Sequence, residues 1–217
     1  MVRVALLPAP RMHALPMSHV LERPFFNLSV VQAPLATLID QFAGLPPLVA
    51  ARAETVALAF PDQPYSAAPG ALPLLLWSPA CSPGLTAVMP HVSSGDYFVL
   101  EYACKRLGHD GVAVRSSNAS DAEPINEFIT YTGNRMQRAV RAMKDSPRWD
   151  FYQQGEPLPF ESVDAYTARR VRDRLQREAV LRYLEAWGAP VRDAGFWRSQ
   201  REAVTLVRGA VQPTLTP

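Results

Sequence analysis

RWDFYQQGEPLPFESVDAYTARRVRDRLQREAVLRYLEAWG, from Arg148 to Gly188, is the stretch whose reading decides the fold. Its opening alternates, Trp149 and Phe151 in phase with each other and Asp150 and Tyr152 in the opposite phase, which is the period of a strand with two aromatics turned inward. Gly155, Pro157 and Pro159 then make a stiff connection. From Val163 to Trp187 no Gly or Pro intervenes, Ser162 and Asp164 suit a helix start, and Gly188 followed by Pro190 suits a stop. The spacing predicts one long helix over 163–187. Ala168, Val171, Leu175 and Ala179 form its apolar stripe, widened by Val180, Leu181, Tyr183, Leu184 and Trp187.

Working outward, a second helix is predicted over 95–107, with Ser94 as N-cap, Asp96 in the first turn and Gly108 at the end. A shorter helix spans Gln32 to Phe42, with Pro34 in its first turn. Arg3–Leu7, Thr55–Phe60, Leu72–Trp77, Leu85–Met89, Val112–Arg115 and Ala203–Val207 read as strands, with 72–77 pairing 85–89 across a Pro- and Gly-containing turn. Asn126–Thr132 is β-like. In 134–145 a helical spacing of Met136, Ala139, Val140 and Met143 competes with the Asp145-Ser-Pro turn, and the turn before a β-like run favours a hairpin. Ser116–Glu127 reads as a mobile acidic loop, and Val191–Gln200 as a loop carrying Phe196 and Trp197.

The fold class expected is α+β: a mainly antiparallel sheet packed by the helices 95–107 and 163–187, with a Pro-rich, irregular N-terminal half that holds fourteen of the twenty-one prolines. Residues 1–212 are expected to form one domain and 213–217 a flexible tail. A chain of 217 residues with 48% hydrophobic and 19% charged residues can bury a core unaided. Two cysteines make no disulfide framework, and no apolar run approaches the ~20 residues of a spanning helix, so a cytoplasmic location is expected. The strong excess of Arg over Lys in an Ala- and Pro-rich background points to a GC-rich bacterial genome. A net charge of +2 does not call for a polyanion.

Several residue groups could carry chemistry. Arg170, Arg174 and Arg177 recur at i, i+4, i+7 within an Arg-rich run, so on one helix they would share a face suited to carboxylate or phosphate, or simply solvated. Glu156 and Glu161 flank the Pro-rich connection; they could form an acid/base pair, but Glu161 fits a helix cap or a partner for Arg148 or Arg169 better. Trp149, Phe151, Tyr152 and Phe160 supply aromatics near the Arg face. His109-Asp110 resembles a metal dyad without further ligands, and Cys81, His91, Cys104 and His109 lack the close spacing that pre-organises zinc. Cys104 could be a nucleophile beside His91 or His109, but on an apolar stripe it reads as an inert buried thiol. Ser93-Ser94-Gly95-Asp96 offers free N–H groups without a Gly-rich phosphate loop.

No metal and no cofactor are therefore expected. The function read from these features is a non-catalytic, cytosolic protein-binding module, an inhibitor, immunity-like protein or adaptor, meeting another protein through Arg170, Arg174, Arg177, Tyr152, Glu156 and Glu161. In size and layout the chain is similar to small α+β immunity proteins of bacterial toxin systems, with no motif shared. The alternatives are an enzyme whose site is assembled from dispersed residues, and a nucleic-acid binder using the Arg face, the latter disfavoured by the low net charge.

Overall fold

The computed structural model describes residues 18–43, 52–60, 74–90, 98–118 and 121–207. The expected strand at Arg3–Leu7, the residues His91 and Ser93 to Asp96, and the tail at 213–217 lie outside the described residues. Helices α1 (Ser18–Glu22), α2 (Leu35–Ala43), α3 (Phe98–Lys105) and α4 (Arg177–Trp187) accompany nine strands. These are β1 (Phe25–Val31), β2 (Arg52–Val56), β3 (Leu74–Trp77), β4 (Thr86–Pro90), β5 (Gly111–Ser117), β6 (Ile125–Thr132), β7 (Arg135–Asp145), β8 (Arg148–Gln154) and β9 (Ala203–Val207). They form one sheet in the order β2-β9-β3-β4-β1-β5-β6-β7-β8, and every described pairing is antiparallel.

The mixed helix and strand composition and the large antiparallel sheet are as the sequence predicts. So are the pairing of β3 with β4, the hairpin of β7 with β8, and the strand at Ala203–Val207. The sheet is covered on both faces. Along the strands, side chains alternate between two cores: Phe26, Leu28, Val30, Leu75, Trp77, Val112 and Val114 meet α4 and the C-terminal segment. Val31, Leu74, Leu76, Val88 and Ala113 meet α2 and α3. Such double cover explains why β3 is buried at all four positions, with no polar alternation to mark it in the sequence. Gly111 allows α3 its close approach, since a Cβ there would lie 2.7 Å from Cys104 Sγ.

Two expectations are corrected. The stretch 163–187 is not one helix: Val163–Thr167 and Val171–Asp173 are separate 3-10 turns, and only Arg177–Trp187 is α-helical. Nine residues of α-helix rotate by about 900°, so Tyr166 and Leu175 would point to opposite sides of a continuous helix. Both are buried in the same core, and the extended residues between the turns, Ala168 at ψ 138° and Arg170 at ψ 121°, allow this. Ser162 makes no side-chain cap; its N–H donates to the Tyr183 hydroxyl at 2.7 Å. Gly188 does end α4 as expected, at φ +113°.

Ser116–Glu127 is not a loop with nothing to bury. Its first residues complete β5 and its last begin β6, with Ser116, Ser117, Asn126 and Glu127 all buried. The polar side chains that resembled a loop in sequence bond across the pair: Ser116 Oγ donates to Asn126 Oδ1 at 2.8 Å, and Arg115 Nε donates to Glu127 at 2.7 Å.

Val191–Gln200 is the expected irregular segment, and its aromatics anchor it. Phe196 and Trp197 are buried against Trp77, whose indole N–H donates to the Phe196 carbonyl at 2.8 Å.

Candidate functional site

At the β8 side of the sheet, the ends of β5, β6, β7 and β8 meet the second 3-10 turn and the start of α4 around a cleft of about 480 Å³. Its positive groups are Lys144, Arg172 and Arg177, and its carboxylates are Asp121 and Asp173. Trp149 supplies one aromatic wall, while Asn118, Asn126 and Gln176 supply amides. Gln176 occupies the N-cap of α4 without a side-chain cap bond, which leaves first-turn N–H groups and the positive end of the helix at the cleft.

The three cations differ. Arg177 is tied down: Nε donates to Ser116 Oγ, Nη1 to the carbonyls of Leu21 and Arg23, and Nη2 to those of Pro24 and Ser116. Burial lowers its pKa, and its guanidinium lies over the Phe26 ring. Lys144 has no carboxylate within salt-bridge distance among the described residues, and Arg172 touches only Asp173, at 3.9 Å. Of the acids, Asp121 accepts from the Ser117 hydroxyl at 2.6 Å and from the Glu123 N–H at 3.1 Å, so both of its oxygens are engaged. Asp173 has the looser carboxylate.

The predicted Arg face does not form. Arg177 is a structural clamp, Arg174 donates from Nε to the Ala168 carbonyl and covers the Phe151 ring, and Arg170 is exposed. The broken helix removes the common face on which their spacing depended. Tyr152, 42% exposed, stands in the opposite strand phase to Trp149, with Arg141 over its ring. Glu156 is exposed, whereas Glu161 is 8% exposed and pairs with Arg138 at 2.9 Å, not with Arg148 or Arg169. The two glutamates are therefore no acid/base pair. Trp149 and Phe151 share a face as expected, but Phe151 packs on Tyr166 while Trp149 is only partly buried and lines the cleft.

Lys144, Asn126 and Gln176 escaped sequence reasoning because each is an unremarkable polar residue near a strand or helix end, and Asp173, the lone acid of the Arg run, read there as a partner for Arg169 and Arg177, meets Arg172 instead. Arg172 was visible within the Arg run, but its face could not be known.

Cys104 is fully buried, and burial, with Asp110 and Glu101 adding to it, pushes its thiol up to about 12. Cys81 is exposed, and His109 bonds Gln41 at 2.9 Å. Among the described residues no three of His, Cys, Asp and Glu gather as a metal site. Iodoacetamide at pH 8 is expected to label Cys81 alone in the native protein and both cysteines in denaturant, counted by mass spectrometry. Because the folded pKa of Cys104 exceeds its unfolded value near 9, its contribution to stability is complete below about pH 9 and is lost as pH rises toward about 12.

No family model and no solved structure matches the chain. It is 30% identical over 127 residues, 54% of this chain and 87% of the relative, to the "Putative pre-16S rRNA nuclease" of Nitratidesulfovibrio vulgaris (strain DSM 19637 / Miyazaki F). The chain belongs to the family of that protein. The relative is named for action on RNA, and this overturns the expectation of a non-catalytic, immunity-like module with a protein partner and with nucleic acid disfavoured. Among the described residues no helix is long and apolar enough to cross a membrane.

Proposed function

We propose that the protein is an RNA-cleaving enzyme of the cytoplasm, with ribosomal RNA precursor as its substrate class. The observation that carries this is the cleft: Lys144, unpaired among the described residues, and exposed Arg172, held by Asp173 at 3.9 Å, beside the uncapped start of α4, facing an indole wall, in a chain of this family. The phosphate of the strand sits against Lys144, Arg172 and the α4 N–H groups. Cleavage replaces a P–O bond to the leaving nucleotide by a P–O bond to water, whose proton must be accepted. Asp173, held by Arg172 at 3.9 Å alone, is the carboxylate that accepts it, since Asp121 is occupied in holding the β5–β6 connection, and the leaving oxygen takes its proton from solvent. Lys144 and Arg172 offset the charge that grows on the phosphoryl oxygens.

The test uses a radiolabelled transcript spanning the 16S leader, with divalent cation supplied. Wild type is expected to bind it and to lose affinity by roughly tenfold or more between 50 and 200 mM salt. Lys144→Glu with Arg172→Glu is expected to abolish binding while leaving the circular dichroism spectrum intact. Asp173→Asn should retain affinity and lose cleavage by about a hundredfold. Full binding by the double variant would place RNA elsewhere on the molecule.

A further inference from the structure

The floor of the cleft carries a polar group whose orientation is fixed from behind. Asn126 is only 8% exposed, and it lines the cleft. Behind it, Arg177 Nε can only donate, so Ser116 Oγ accepts that bond at 3.1 Å and its own proton goes to Asn126 Oδ1 at 2.8 Å. The amide oxygen is therefore turned to Ser116, and the Nδ2 group has no acceptor among the described residues. Neither amide rotation nor proton exchange can turn an acceptor toward the cleft without breaking this chain. Beside it stands Trp149, whose indole N–H also has no acceptor among the described residues. A volume of about 480 Å³ lies within the ~300–1,000 Å³ of small-molecule sites.

Resting on the RNA reading of the same cleft, we infer that it holds one unpaired nucleotide, stacked on Trp149 and selected by the Asn126 amide for a carbonyl at the 4 or 6 position of the base. Uracil and guanine present a carbonyl oxygen there and accept from Nδ2. Cytosine and adenine present an amino group, which sets N–H against N–H and leaves a buried donor unpaired. A duplex cannot deliver a base to this floor, so the substrate is single-stranded at this point. Arg177 and Ser116 are positioning residues, acting only through Asn126.

Fluorescence anisotropy with uridine and cytidine octamers tests this, because the two are similarly weak stackers of equal charge and differ at the 4 position. The uridine octamer is expected to bind about tenfold tighter. Asn126→Asp turns an acceptor into the cleft and should reverse the preference; its added charge weakens both octamers alike and leaves their ratio informative. Ser116→Ala frees the amide to rotate and should bring the ratio near one, an outcome that does not depend on the Asp variant folding. Trp149→Ala should weaken both octamers about tenfold with the ratio kept. Equal, Lys144-dependent binding of the two octamers would overturn base selection and leave the RNA reading standing. Binding of neither octamer would overturn both.

Discussion

Glu161→Ala is expected to destabilise the protein by about 3–5 kcal/mol, the range for removing one partner of a buried ion pair. Arg138 and Glu161 are both almost wholly inaccessible, and their bonding is dense. Arg138 Nε and Nη2 donate to the carboxylate at 2.9–3.1 Å, Nη1 donates to the Gly155 carbonyl at 2.7 Å, and Nη2 also reaches Gln153. The carboxylate accepts further from the Leu158 N–H and the Tyr166 hydroxyl, which meets Tyr183. Burial pushes the Arg138 guanidinium down, but its bonds to and charge contact with Glu161 outweigh this and raise it. Burial, the Tyr183 contact and Glu161 together raise the Tyr166 hydroxyl well above the usual phenol value, so it remains a donor. Without Glu161 an uncompensated guanidinium stays buried under the connection between β8 and the first 3-10 turn.

Urea unfolding measures the effect. Glu156→Ala, an exposed glutamate five residues away, should change stability by less than about 0.5 kcal/mol. Joint replacement, Arg138→Met with Glu161→Leu, should recover most of the loss, since no charge is then stranded. A loss below about 1 kcal/mol for Glu161→Ala would mean that the pair is solvated in solution.

Arg177→Met is expected to cost about 2–4 kcal/mol, because hydrogen bonds to a charged group contribute about 1.5–3 kcal/mol each and are not additive. One guanidinium joins α4 to the α1–β1 connection and to β5 by accepting positions on Leu21, Arg23, Pro24 and Ser116. Removing it leaves several carbonyls and the Ser116 hydroxyl without that donor. For a chain of this size the melting temperature should fall by roughly 5–15 °C in a calorimetric scan. Arg177→Lys should recover little, since three donors on one nitrogen cannot span the fork that reaches these carbonyls. A melting temperature unchanged by Arg177→Met would show that the clamp is dispensable and would free Arg177 for the ligand role its spacing first implied.

The local signals in the sequence were sufficient for local elements. The alternation around Trp149 and Phe151, the Asp145-Ser-Pro turn, the β3–β4 hairpin, the strand at Ala203–Val207 and the Gly188 stop depend on neighbours within a few residues, and all occur as read. What the sequence could not determine is where polar side chains find their partners. Arg138 meets Glu161 from 23 residues away, and Arg177 meets Ser116 from 61 and Arg23 from 154. Those long-range demands, together with burial of Tyr166 and Leu175 on one side, break a segment whose helical periodicity is intact into two turns and a shorter helix. Periodicity specifies which side chains would be adjacent if the backbone were regular. Tertiary burial decides whether it is regular, because a buried charge or hydroxyl without a partner costs more than the few hydrogen bonds lost when a helix is interrupted. The cleft arises at that interruption, so no sequence pattern joins its residues: Lys144, Trp149, Asn126 and Asp173 come together only after β5 to β8 have paired and α4 has been clamped across them.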